Sequence, residues 1–290
     1  MKILAWGMGY VARRLAQNCP HLKIVGTTRQ PVKADKGRTN ELLMPFSGDI
    51  ESGLRNYASQ ADVWLVSIPP VNGRDMVADL VLRERLALPS QVVYLSATSV
   101  YGGHDGGYRD ELSLLDGEGE RAEHRRTAEA TWMHLCSSHS SRFATVRLSG
   151  IYGPQRNALH RVLNGQTFSL HRAGAVTSRI HVDDIVAGLK SIIGKSGGWG
   201  AFNMADDLPC SPAIVTDYAC QLLGLPALPR KDPEDRDVSP SAKSFMQHNR
   251  RIYARRLREL FDWSPQFPTY KEGLQSCFVA DMKQTLSQDK

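Results

Sequence analysis

The sequence predicts an α/β fold, a doubly wound parallel sheet with a smaller, partly helical C-terminal domain. Three observations predict it. Short apolar runs alternate with helical patterns through the first half of the chain. The first of those runs ends in a glycine-rich turn, Gly7-Met8-Gly9-Tyr10-Val11-Ala12. The second half loses this rhythm and becomes a series of loops and separate helical patterns.

The elements follow in order. Residues 3–6 form a candidate strand and residues 11–18 a helix. Residues 22–26, 63–68 and 91–95 are further strands, each an apolar run too short for a helix. A long helical stretch at 120–136 precedes a strand at 142–148, and another helical pattern covers 185–193. This β-α-β rhythm implies a parallel sheet with helices on both faces. Beyond it, helical patterns occupy 213–223 and 252–261, separated by loops at 208–212 and 225–240. The second loop is rich in proline and charge, and its length suits either a linker or a flap over a site. The expected division is a nucleotide-binding domain of residues 1–150 and 176–206, with residues 151–175 and 207–290 forming a smaller substrate domain.

Bulk composition narrows the function classes. Among 290 residues, 23% are charged and 41% apolar, which suits a packed globular chain and argues against disorder. The net charge of +6 can help attract an anionic ligand. Nucleic acid is not the expected partner, because the chain has no run of five Lys or Arg and no basic stripe interleaved with aromatics. The cysteines, Cys19, Cys136, Cys210, Cys220 and Cys277, form no C-x-x-C pair and are odd in number. They read as reduced packing residues of a cytoplasmic protein, and no metal site is expected. The N-terminus reads as a strand without a signal-peptide layout, and no apolar run reaches the roughly 18 residues of a membrane span.

The glycine turn carries the functional signal. Gly7 permits a tight turn, Gly9 lets backbone approach a pyrophosphate, and Ala12 lets the helix pack on the sheet. The helix N-terminus then meets the phosphates with free N–H groups and a partial positive charge. The pattern is weak alone and strong here, between an N-terminal strand and a helix, so the sheet is expected to be of Rossmann type. An acid at the end of the second strand would hold the ribose 2′-hydroxyl of NAD. This chain has Gly26-Thr27-Thr28-Arg29 instead. Arg29 can pair with a 2′-phosphate and Thr28 can add a hydroxyl donor, so NADP is expected, with NADPH preferred over NADH. The alternative is that Arg29 is a solvated loop residue.

These residues resemble the extended short-chain dehydrogenase/reductase superfamily, in its NAD-dependent epimerase/dehydratase group, and within that an atypical bacterial branch. The resemblance runs through Val66-Ser67-Ile68-Pro69-Pro70, Leu95-Ser96-Ala97-Thr98-Ser99-Val100-Tyr101-Gly102 and Arg147-Leu148-Ser149-Gly150-Ile151-Tyr152-Gly153-Pro154. It continues through Ser178-Arg179-Ile180-His181-Val182-Asp183-Asp184 and Phe202-Asn203-Met204-Ala205-Asp206-Asp207. It implies that Asp49 and Ile50 lie by the adenine, and that Ser67, Ile68 and Pro69 line the cofactor together with Ser96. Tyr152, Arg156 and Asn157 would flank the nicotinamide and a small-molecule substrate. It also implies a homodimer through 120–136, with a monomer as the alternative. The simpler readings are that Asp183 and Asp184 cap the helix that follows them and that His181 is a structural hydrogen-bonding residue.

Enzymes of this superfamily use Ser or Thr, Tyr and Lys around the reacting oxygen. Here the hydroxyl position is Ala97, flanked by Ser96 and Thr98. Arg121 stands where Tyr is expected and Arg125 where Lys is expected, and no tyrosine lies between Tyr108 and Tyr152. Arg125 can still hold the nicotinamide ribose or a phosphate. Arg121 stays charged and cannot act as a general acid. The simpler reading of both is a solvated Arg/Glu helix face. Tyr101, Tyr108, Tyr152, His104 and His124 remain as proton donors, with Thr98 as a substrate hydrogen-bonder. Two expectations follow: an NADP-dependent oxidoreductase with a rearranged donor acting on an anionic, carbonyl or sugar-like substrate, or a non-catalytic NADP(H)-binding redox sensor. The substrate is not legible.

Overall fold

The computed structural model describes residues 1–29, 42–103, 106–236, 238–239, 243 and 249–288, with the side chains of 42 and 281–288 left aside. His104 and most of the segment after the 225–240 loop, including Phe245 and Met246, lie outside the described residues.

Seven strands form one parallel sheet: β1 (Lys2–Trp6), β2 (Lys23–Thr28), β3 (Leu42–Pro45), β4 (Val63–Val66), β5 (Gln91–Ala97), β7 (Arg142–Leu148) and β11 (Gly200–Met204). Their order is β11-β7-β5-β4-β1-β2-β3. Shorter pieces pair beside it: β6 (Tyr108–Arg109) with β13 (Arg251–Ile252), β8 (Gly150–Tyr152) with β10 (Arg179–His181), and β9 (Ser169–Leu170) with β12 (Arg230–Lys231). The helices are α1 (Tyr10–Asn18), α2 (Ser52–Gln60), α3 (Met76–Glu84), α4 (Glu120–Ser138), α5 (Ala158–Leu163), α6 (Val182–Ile192), α7 (Pro212–Leu222), α8 (Arg255–Phe261) and α9 (Tyr270–Gln288).

Strand side chains alternate between the two faces with period two. Ile3, Ala5, Val63, Leu65, Val93 and Leu95 meet α1, α6 and Leu257 of α8. Leu4, Trp6, Trp64, Val66, Val92 and Tyr94 meet α2, α3 and α4. Burial on both faces explains the unbroken apolar runs of the central strands. Each fully buried Leu, Ile or Val contributes about 1.5–3 kcal/mol. Another cluster lies apart from the sheet and joins Tyr152, Leu159, Val215, Tyr270 and Leu274.

The order runs outward in both directions from the β1–β4 pair, so the sheet reverses there. The crevice at the carboxyl ends of those two strands is where ligands bind in open α/β sheets. The glycine turn leaves β1 at this point.

Some elements differ from expectation. β2 continues through Thr27 and Thr28, because β3 pairs with it to that end. The helix expected at 252–261 begins only at Arg255, because Arg251 and Tyr253 donate their N–H groups to Gly107 and Arg109. The α6 cap is also different. His181 is the N-cap and accepts from the Asp183 N–H at 3.2 Å, as a structural hydrogen-bonding residue would. Asp183 instead pairs with Arg14 of α1, and Asp184 accepts from the Gln266 and Phe267 N–H groups.

Candidate cofactor turn and substrate cavity

Gly7 adopts φ +94°, and a Cβ there would lie 2.8 Å from Ser67 Oγ and 2.9 Å from Ile68 Cγ1. Only glycine fits that close approach in the left-handed region. Neighbouring strands fix the turn. Thr27 Oγ1 accepts from the Gly7 N–H at 2.8 Å, the Met8 N–H donates to the Thr27 carbonyl, and Ser67 Oγ donates to the Gly7 carbonyl at 2.6 Å. The Met8 side chain is buried against Gly26, where a Cβ would lie 2.7 Å from Met8 Cβ. The Met8 backbone is engaged too, its N–H by Thr27 and its carbonyl by Arg13 Nε at 3.0 Å.

Gly9 is different. A Cβ added there meets nothing within 4 Å. The space over Gly9 is an open cradle at the start of α1, and no side chain caps that helix. Uncapped N–H groups beside an open cradle fit a phosphate. Val11 turns its side chain into the core. Tyr10 bridges outward: its hydroxyl donates to the Pro154 carbonyl at 2.9 Å, and the Arg156 guanidinium lies over its ring. The turn is thus tied to the loop after β8.

Thr28 ends β2 half-buried, and Arg29 is exposed just beyond it. The next residues, 30–41, lie outside the described set. Asp49 is exposed and accepts from Arg83 at 3.0 Å, while Ile50 packs on the core face below it. Ser67 and Ile68 back the glycine turn, and Pro69 is exposed at the same strand end. Ser96, near the end of β5, is buried and its hydroxyl has no hydrogen-bond partner.

The rearranged triad positions separate. Arg121 is exposed on the first turn of α4. Arg125 reaches back to the sheet and donates to the Leu95 carbonyl at 2.9 Å and to the Tyr94 hydroxyl at 3.3 Å. Tyr101 is fully buried, and its hydroxyl sits between Arg147 Nη1 and Asn203 Oδ1, each at 2.8 Å. Burial pushes its pKa up despite the arginine. The hydroxyl of Tyr101, one of the proton-donor candidates, is thus engaged by Arg147 and Asn203 inside the core. Arg147 completes a buried pair with Glu129 of α4 at 2.7 Å. Tyr108 is exposed, and His124 lies beside Gly73 in the loop after β4.

A cavity of about 610 Å³ opens between the ends of β8 and β10 and the cluster around α5, α7 and α9. Its walls are apolar at Phe168, Leu170, Val215 and Leu274, and Arg156, Arg161 and Arg179 enter it. Arg179 is buried and donates to Cys210 Sγ, Thr177 Oγ1 and the Cys210 carbonyl at 3.0–3.2 Å. Arg161 is wetted from the cavity yet walled by protein, and that burial, with Arg179 nearby, holds its pKa below the ordinary arginine range. Among the described residues none of the three forms an ion pair with a carboxylate. Tyr152 lines the same cavity, and its pKa is raised by burial and by Asp206 and Asp184. Asn157 caps α5 instead of facing a ligand, accepting from the His160 N–H. Thr98 borders a smaller adjoining cavity.

Sequence reasoning missed Thr27, Arg161 and the Glu129–Arg147 pair. The Thr27-Thr28 repeat at a strand end was a visible cue for the first. The other two depend on long-range packing and left no local mark. Among the described residues no helix is long and apolar enough to cross a membrane, and no His/Cys/Asp/Glu group could hold a metal.

No family model and no curated protein matches this chain. Among solved structures, a conserved protein of unknown function from Silicibacter pomeroyi is 32% identical, with a TM-score of 0.86 over 97% of this chain and 98% of that one. dTDP-glucose 4,6-dehydratase from Bacillus anthracis, solved with NAD, is 18% identical, with a TM-score of 0.76 over 98% and 97% of the two chains. UDP-glucuronic acid 4-epimerase from Bacillus cereus, solved with UDP-glucuronic acid and NAD, is 14% identical, with a TM-score of 0.79 over 98% and 100%. The chain belongs to one family with the Silicibacter pomeroyi protein, built on the extended short-chain dehydrogenase/reductase fold of the NAD-dependent epimerases and dehydratases.

Proposed function

We propose that the chain is an NADP(H)-binding oxidoreductase that acts on a small, anionic carbonyl or sugar-like substrate with a non-standard proton donor. The observation that carries this reading is the open cradle over Gly9, facing an uncapped helix and tied through Tyr10 to an arginine-lined cavity. The backbone from Gly7 to Val11 would hold the pyrophosphate. Thr28 and Arg29 would hold the 2′-phosphate, and Asp49 with Ile50 the adenine. Ser67, Ile68 and Pro69 would line the dinucleotide, and the partnerless Ser96 hydroxyl fits a role near the nicotinamide. Residues 1–150 and 176–206 would form the nucleotide domain and the remainder the substrate domain.

When bound, the dinucleotide supplies hydride exchange at a substrate carbon. The protein must then give or take a proton at the oxygen on that carbon. Tyr152 and Tyr270 are the phenols that line the substrate cavity, and Tyr152 would be the donor, although burial raises its pKa and makes it a weaker acid. Thr98 can hydrogen-bond the same oxygen from the β5 end. Arg125, drawn to the Leu95 carbonyl, would act by fixing that strand end rather than by touching the ribose.

The second reading is a non-catalytic NADP(H) sensor. It is favoured by the commitment of Tyr101 and Arg125 to structural bonds. A fluorescence titration with NADPH and NADH, followed by a screen of carboxylated carbonyl compounds for NADPH consumption, separates the two. Turnover on any of them supports the enzyme, and tight NADPH binding with no turnover supports the sensor. Arg29→Ala is expected to weaken NADPH about tenfold or more, by loss of a charge-assisted bond, and NADH far less. Equal losses would show that Arg29 does not meet a 2′-phosphate.

A further inference from the structure

A second cavity of about 70 Å³ adjoins the large one. Gly150, Thr177 and Ser178 border both. Its remaining wall includes Thr98, at the end of β5, and Arg250.

Arg250 reaches this point on a segment laced in from both sides. The Asn249 N–H donates to the Gly103 carbonyl, and the Asn249 carbonyl accepts from the Gly106 N–H. Asn249 Oδ1 accepts from the Val176 N–H, and the Ile252 N–H donates to Ser178 Oγ, both at 2.9 Å. Gly103 makes room, since a Cβ there would lie 2.9 Å from Arg250 Cβ. The backbone that carries Arg250 is therefore held on both sides.

The charge at this position has no acid to answer it. Arg250 is 8% exposed, and it donates from Nη1 to the Tyr101 carbonyl at 2.8 Å. Among the described residues it forms no ion pair. Asp116 acts on it only weakly and gives an oxygen to the Gly102 N–H instead. Burial and the neighbouring Arg109 lower the Arg250 pKa to about 10, which leaves it charged at neutral pH. A guanidinium carries five donors, and burying one without a counter-charge is unfavourable. Ser178 Oγ accepts from Ile252 and so keeps its own O–H to donate. Arginine and hydroxyl donors thus converge on a space the size of about two or three heavy atoms.

We propose that this small cavity is a carboxylate subsite, in which Arg250, assisted by Thr98 and Ser178, selects substrates that carry a carboxylate next to the reacting carbon. Its place in a reaction rests on the oxidoreductase reading above. The binding itself does not.

The test uses the full chain and 19F NMR titration of fluoroacetate, with fluoroacetamide as the neutral probe of equal size. Fluoroacetate is expected to bind saturably and about tenfold or more tighter than the amide, and Arg250→Gln is expected to remove that preference. Arg161→Gln, in the large cavity, is expected to leave fluoroacetate affinity within about twofold. Equal binding of acid and amide, unchanged affinity in Arg250→Gln, or loss in Arg161→Gln alone would each overturn the subsite. If Arg250→Gln does not fold, Arg250→Lys and Thr98→Val carry the test, each expected to weaken fluoroacetate about threefold or more, with unchanged affinity in both overturning it. NADPH titration of the same samples separates the two ideas. Fluoroacetate binding without NADPH binding removes the oxidoreductase reading and leaves the subsite standing.

Discussion

Two glycines two residues apart do different work. Gly7 is held by sterics: its positive φ and its contacts with Ser67 and Ile68 admit no side chain. Gly7→Ala should therefore cost roughly 1–3 kcal/mol of stability, read by chemical denaturation. A cost near zero would mean that the β1 turn can relax. Gly9 is held by nothing in the protein, since its Cβ position is empty and its φ of −84° suits any residue. The sequence displays both as one motif. Only the structure shows that one glycine shapes the turn and the other clears a space.

At the scale of elements, α4 carries Arg121 and Arg125 where the resemblance implied Tyr and Lys. It delivers Glu129 to Arg147 of β7, and through Arg147 it fixes Tyr101 and Asn203. This pair is nearly dry, at 6% and 7% side-chain exposure. Removing one partner strands a buried charge, so Arg147→Met alone should lose about 3–5 kcal/mol. The double variant Glu129→Leu with Arg147→Met should recover most of that loss. A double variant as unstable as the single would show that the pair is not the source of the cost. The Tyr101 hydroxyl, a proton-donor candidate by sequence, is engaged inside the core. A tyrosine in a strand-end motif looks like a site residue, but its neighbours across the sheet decide where the hydroxyl points.

At the scale of the whole molecule, the parallel sheet was legible because central strands buried on both faces leave apolar runs of four residues. β3, α2, α3 and α9 were not, since they are short or lack a clear apolar stripe. The cavity was illegible because Arg161, Arg179 and Tyr270 meet only through the return of the chain from α9. The same return buries Asp206, just after β11. Burial raises its pKa to about 8, and Arg179 and the Leu208 N–H only temper the effect. The folded chain then holds a proton that the unfolded chain has released. The stability tied to that proton is full below the ordinary carboxylate pKa near 3.8 and is lost as pH rises toward 8. Asp206→Asn should thus gain on the parent protein as pH rises through that window and hold a constant margin above it, as read by thermal unfolding. A margin independent of pH would show that Asp206 is ionised throughout.

The proposed function requires a dinucleotide on the turn between β1 and α1. NADPH titration of Gly9→Val, alongside its melting temperature, tests it most directly. A Cβ there meets no atom of the described residues within 4 Å, and a changed N-cap costs about 1 kcal/mol or less. The account predicts a folded variant with a melting temperature within a few degrees of the parent and NADPH affinity reduced by about a hundredfold or more, as a blocked pyrophosphate site requires. A folded Gly9→Val that binds NADPH as tightly as the parent would contradict it.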